Sequence, residues 1–197
     1  MTRFHSNIPV LLTALLVGAG LLVGCDQGSS NAPEPVTYTT SLGALNNSGV
    51  SGQATVTVDG NQLSVAVDAQ GTEAEKVHAQ HIHGFASDAS SCPTAAADTS
   101  GDGRISVGEG APSYGSILVP LDGSLDTAEG LGDLETFPTG NGSYSYDMSI
   151  ATGALGVNGD RSFSDLTLEN HAIVVHGLTV DSSYKATLPV ACGTLAR

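Results

Sequence analysis

The sequence predicts an all-β domain, an eight-stranded antiparallel Greek-key sandwich or barrel with long loops. Apolar residues recur at every second position in segment after segment, which in an extended chain buries one face and leaves the other wet. No segment keeps an apolar stripe at helical spacing for three turns. The composition suits short strands and many turns: 25 glycines, 5% aromatic residues and no tryptophan.

The first 24 residues are read as an export signal rather than as part of the fold. Arg3 gives a short positive start, Ile8 to Val23 is apolar, and the stretch ends in Leu22-Val23-Gly24-Cys25. The apolar run is short for a membrane span and has the order of a secretory signal. Its ending resembles the lipobox of bacterial lipoproteins, which implies that Cys25 is acylated and anchors the chain to a membrane. Residues 25–35 are polar and aperiodic, a tether. Asp26 resembles the inner-membrane retention signal of some lipoproteins. The folded domain is expected over residues 36–197, on the periplasmic or cell-surface side.

Strand signals begin at Val36. Ala54, Val56 and Val58 alternate with polar residues up to the Asp59-Gly60 turn signal, and Leu63, Val65 and Val67 alternate in the returning strand. Gly71 to Glu75 leads into a strand around Val77-His78-Ala79-Gln80-His81-Ile82-His83-Gly84. Phe85 to Ser113 lacks strand character and is expected to be a long functional loop. Strand character returns at Tyr114 to Leu121, and Asp122 to Gly140 is an acidic connection. Tyr144, Tyr146, Met148 and Ile150 alternate next. Ala172 to His176 is a short apolar strand. Tyr184, Ala186, Leu188, Val190 and Cys192 share a face of the last one.

Charge excludes one class of partner. Six basic residues face 20 acidic ones, a formal net charge of −14. No basic patch exists, which argues against nucleic acid and against electrostatic docking on anionic lipid. With Cys25 committed to lipid, Cys92 and Cys192 remain. In an exported chain an even pair is expected to form a disulfide, the alternative being two buried free thiols.

Five of the six histidines lie in two apolar strands: His78, His81 and His83 in one, His171 and His176 in the other. In an extended strand His81 and His83 point the same way, with Ile82 opposite. Two imidazoles on one face make a chelating pair, and imidazole suits copper and zinc. The alternative is a set of hydrogen-bonded strand histidines. His78 alternates away from His81 and is expected to make a structural hydrogen bond.

A second constellation lies at residues 98–109. Asp98, Ser100 and Asp102 occupy positions 1, 3 and 5 of a twelve-residue EF-hand loop. Gly103 is at 6, Arg104 offers its carbonyl at 7, Ser106 is at 9 and Glu109 at 12. The flanks are weaker. Residues 92–97 allow one helical turn, and Gly110 and Pro112 are expected to allow almost no helix after the loop. The pattern reads as a solitary calcium loop, with affinity in the roughly 10⁻⁴ to 10⁻³ M range. Its expected role is to order residues 85–113.

Taken together, these residues resemble the copper/zinc superoxide dismutase family over about Tyr38 to Leu195. The matches are His78 with His81-x-His83, Cys92 nine residues on, Val174-Val175-His176, and Cys192-Gly193 in the last strand. The resemblance implies a Greek-key β fold, a Cys92–Cys192 disulfide and copper on His81, His83 and His176; His78 and His171 are the candidates to stand beside that site. Where the family has its metal-bridging histidine this chain has Asp98, and its other zinc histidines have no match, so no zinc is expected. Pro189 stands where the family has its active-site arginine. The short segment from His176 to Cys192 resembles copper-only relatives. His171 or Asp98 is the candidate fourth copper ligand.

Three functions follow as expectations. The first is a lipid-anchored copper protein that disproportionates superoxide weakly, since its charge repels an anion. The second is a non-catalytic binding module, for copper or for calcium. The third is a calcium-ordered surface protein whose histidines only hydrogen-bond. A looser resemblance, to chordin-type secreted domains with a His-Ile-His-Gly stretch, belongs with the binding modules.

Overall fold

The computed structural model describes residues 34–86, 89–127 and 130–197. The expected export signal, Cys25 and the expected tether up to residue 33 lie outside the described residues.

Eight antiparallel strands form one curled sheet. They are β1 (Val36–Ala44), β2 (Ser51–Asp59), β3 (Gln62–Thr72), β4 (Gln80–Gly84), β5 (Ser116–Pro120), β6 (Gly142–Ala151), β7 (Ala172–Val180) and β8 (Ser183–Thr194). The spatial order is β5-β4-β7-β8-β1-β2-β3-β6. β1 joins the two halves: Val36 to Leu42 pair with β2, while Gly43 and Ala44 pair with Cys192 and Ala191. The chain changes half three times, at β3–β4, β5–β6 and β6–β7, so the long connections run over the surface.

The alternation read from the sequence holds. Val56, Val65, Val67, Ile82, Val119, Tyr146, Ile173, Val175 and Val190 share one core between the two halves. Tight hairpins set the register. β2 and β3 are joined across Asp59 and Gln62, and β7 and β8 across Val180 and Ser183. Asp181 and Ser182 between the latter two have φ of 49° and 65°, the left-handed pair of a primed hairpin turn.

Two expectations are corrected between Phe85 and Leu121. A two-turn helix, α1 (Val107–Tyr114), follows the acidic loop despite Gly110 and Pro112. Ser106 and Glu109 form a reciprocal capping box at its start, and the bonds Gly110 N to Ser106 O and Gly115 N to Ala111 O bracket the donor that Pro112 lacks. Strand β5 accordingly starts at Ser116, and Tyr114 ends the helix instead of opening a strand.

The excursion before β5 lies on the outer face of the β4–β7–β8 half. There Leu45, Tyr114, Ala172, Val174 and Cys192 make a second, smaller apolar cluster, with Cys92 and Ala111 against it. The expected disulfide is present: Cys92 and Cys192 are bonded at a sequence separation of 100.

Candidate metal centre

The pairing of β4 with β7 places three histidines on that outer face. His81 lies opposite Val174 and His83 opposite Ala172, while Ile82 opposes Ile173 in the main core. The His176 amide donates to Ala79 O, so residue 176 sits diagonally from residue 81. Bulges on both sides of His176, with Gly177 at φ 111°, turn its ring toward the pair. The ring centroids are 5.4 Å apart for His81 and His83, 5.1 Å for His81 and His176, and 5.6 Å for His83 and His176.

Each imidazole has one nitrogen held by a backbone carbonyl. His81 Nε2–H donates to Leu131 O at 2.8 Å, His83 Nδ1–H to Gly115 O at 3.1 Å, and His176 Nδ1–H to Thr187 O at 2.8 Å. A carbonyl accepts only, so these bonds set the tautomer and leave a lone pair on the other nitrogen. Those other nitrogens, His81 Nδ1, His83 Nε2 and His176 Nε2, are buried and have no hydrogen-bond partner. One ligand atom from each of the three residues lies within 4.8 Å of the others. Among the described residues this is the one set of three His, Cys, Asp or Glu side chains that converges so closely.

Three unpaired buried acceptors would cost about 1–3 kcal/mol each if nothing met them. A cation at their common point removes that cost, and a carbonyl behind each imidazole is the usual support for a metal-bound histidine. These residues could therefore hold a metal ion.

Burial also keeps the lone pairs free. Desolvation lowers His81 to a pKa of about 4, against the opposing pull of its bond to Leu131, and lowers His83 to about 3, with His81 adding repulsion. Burial holds His176 well below the usual histidine range, helped by His81 and His83. Unfolded, each would titrate near 6.5. Between pH 6.5 and about 4 the unfolded chain binds protons that the folded chain does not, so stability rises with pH across that window. We expect the metal-free protein to lose stability as the pH falls from 6.5 toward 4, by up to about 1.4 kcal/mol per pH unit for each histidine. Urea midpoints at pH 7, 6, 5 and 4.5 measure it; a flat profile would mean that the imidazoles are not buried neutral.

The supporting residues come from distant loops. His78, fully buried, donates from Nδ1 to the His176 carbonyl at 3.0 Å, the structural bond expected of it. Asp122 was not singled out in the sequence. Its buried carboxylate accepts from the amides of Ser124, Leu125 and Asp133 and the hydroxyl of Thr127, folding the loop that brings Leu131 O and Phe137 to His81. Tyr114 stacks edge-on to His83 at 4.7 Å. Gly115 meets Gly84 so closely that no Cβ fits, which seats its carbonyl beside His83. Nothing in the local sequence marks Leu131, Gly115 or Thr187, because each contributes only a backbone oxygen.

Neither candidate fourth ligand joins the three. The His171 ring lies against Gly84 and Leu118, on the side of the sheet away from His83. The Asp98 carboxylate accepts from Gly101 N at 2.7 Å and Gly103 N at 2.8 Å within its own loop. Pro189 is buried opposite His176, and puts no cation at the site.

The acidic loop closes on itself. Glu109 Oε1 accepts from the amides of Thr99 and Ser100, and Oε2 from the amide and hydroxyl of Ser106. The Ser106 amide, then its hydroxyl, hold the Glu109 carboxyl down to about 2. Asp102 accepts from the Arg104 amide at 2.9 Å, and Ser100 Oγ donates to Asp98. Asn46 ties the loop to the barrel: it accepts from Ile105 N at 2.6 Å and donates to Ile105 O and Pro189 O.

A comparison with protein-family models finds no match for this chain, and a comparison with curated proteins finds none either.

Proposed function

We propose that this is an exported, lipid-anchored copper protein of superoxide dismutase-like kind, with copper on His81, His83 and His176. The single observation that carries the reading is the set of three buried, neutral imidazoles whose free nitrogens converge while their other nitrogens are tied to carbonyls. Three nitrogen donors with no thiolate or carboxylate suit copper in both oxidation states. Bound there, the metal would supply one-electron chemistry: two superoxide ions and two protons give one dioxygen and one hydrogen peroxide. The chain's own part is to hold three lone pairs in place and keep them unprotonated.

The reaction is expected to be slow. A chain of net charge −14 repels an anion, and among the described residues no arginine lines the cavity over the three histidines. Copper analysis of the purified full-length protein should find one ion per chain. Superoxide decay should run well below the diffusional ceiling of about 10⁸–10⁹ M⁻¹s⁻¹ and rise with added salt, because screening weakens repulsion. No bound copper would defeat the reading. Bound copper without decay would leave a holding or transfer module, which the 2–3% exposure of the three histidines favours as the second reading.

In the same reading, calcium occupies residues 98–109, through Asp98, Ser100, Asp102, the Arg104 carbonyl, Ser106 and Glu109. The sequence pattern supports it, together with the return of Glu109 onto residues 99–100. Calcium at about 10 mM is expected to raise the melting temperature by a few degrees, about 1–2 kcal/mol by mass action at ten times a millimolar Kd. A Glu109→Gln variant should lose that shift.

A further inference from the structure

Three imidazoles alone do not choose an oxidation state for a bound metal; their surroundings do. Each ring gives its one N–H to a carbonyl and offers a lone pair, so the donors bring no negative charge. A cavity of about 360 Å³ lies over the rings. Among the described residues no charged side chain lines it, and its lining includes the three exposed large hydrophobic side chains, Val107, Leu131 and Leu134. A carboxylate is felt at one ring: Asp122 acts on His81, less than burial or the Leu131 bond does. Backbone amides and the Thr127 hydroxyl already occupy that carboxylate.

The lone pairs are also shielded. The rings line the cavity, yet each free nitrogen is exposed by less than 1 Å². Water does not touch these atoms where they stand, and among the described residues no fourth His, Cys, Asp or Glu joins them. Such a place is costly for a divalent ion. Desolvation grows with the square of the charge, so a divalent ion forfeits about four times the hydration of a monovalent ion of equal size, and here it meets no counter-charge. Coordination number points the same way. Cu(II) takes tetragonal surroundings and Zn(II) a fourth ligand, whereas the filled d shell of Cu(I) tolerates three donors.

We propose that the site of His81, His83 and His176 selects Cu(I) over Cu(II) and Zn(II), through neutral donors held in dry, uncharged surroundings. This rests on the three-histidine copper reading above and not on superoxide turnover. It adds a second brake on that turnover, because a cycle needs both oxidation states and the site makes one of them costly. It also strengthens the second reading, a module that holds copper in its reduced form.

The test is metal competition on metal-free, full-length protein. Cu(I) is offered without oxygen against bicinchoninate, and Cu(II) and Zn(II) are offered against nitrilotriacetate. Cu(I) should be held at least about a thousandfold more tightly than either divalent ion. Leu134 lines the same cavity at an exposed position and orients none of the rings, so it can be changed without touching the donors. Leu134→Asp places a carboxylate over the site and should narrow the Cu(I) to Cu(II) ratio about tenfold or more, while Leu134→Asn, of the same size without the charge, should not. Cu(II) or Zn(II) held as tightly as Cu(I) would overturn the proposal and leave the three-histidine copper reading standing. A ratio indifferent to Leu134→Asp would overturn it too, since the missing counter-charge would not then set the preference. Uptake of neither copper ion would defeat the copper reading itself, and this inference with it.

Discussion

His176→Ala is expected to weaken metal binding severely while scarcely changing the stability of the metal-free protein. Removing one of three ligands from a site with no fourth protein donor among the described residues should weaken copper at least a hundredfold. In the wild-type protein, copper at a thousand times its Kd adds about 4 kcal/mol of stability by mass action, and a variant weakened a hundredfold or more should keep at most about 1.4 kcal/mol of it. For the metal-free protein two effects oppose each other. The substitution loses the bond from Nδ1 to Thr187 O and leaves a small cavity, a loss of about 1–3 kcal/mol. It also removes a buried nitrogen that lacks a partner, a relief of similar size. The net should fall within about 1 kcal/mol. Denaturant melts with and without copper separate the outcomes. A histidine kept only for its hydrogen bond would give the reverse: a loss of about 2 kcal/mol or more without metal, and no change in copper content.

Replacing Cys92 and Cys192 together by alanine should give the largest loss of stability of any double substitution at this site. The bond closes a loop of sequence separation 100, which in the chain-entropy account contributes about 4–5 kcal/mol. For a chain of this size that corresponds to roughly 8–20 °C in melting temperature. The variant tests function as well as stability. The bond staples the excursion that carries Tyr114 and Gly115 onto β8, and those residues back His83. Copper affinity in the double variant is therefore expected to fall along with the melting temperature. If the melting temperature fell and affinity held, β4 and β7 alone would be setting the histidine geometry.

Much of this was legible in the chain. Period-two alternation marked the strands because one face of each packs on a common core; Ile82 between His81 and His83 is the clearest case. The same alternation put those two imidazoles on one face before any tertiary contact was known. The short helix after the acidic loop is hidden in the sequence by Gly110 and Pro112, whose propensities both oppose it. The Ser106-x-x-Glu109 capping box, also present in the sequence, outweighs them. His171 faces away from His176, because odd and even positions along a strand face opposite ways.

What the sequence determined alone was the set of strands, the facing of His81 with His83, and the charge that disfavours anions. Those properties are periodic or compositional, so short-range geometry is enough to read them. The tertiary structure alone decided that His176 meets the pair, that Leu131, Gly115 and Thr187 lend the carbonyls that orient the rings, and that three exposed apolar side chains ring the opening. These depend on strand register and on backbone oxygens that every residue carries, and neither leaves a mark on side-chain identity.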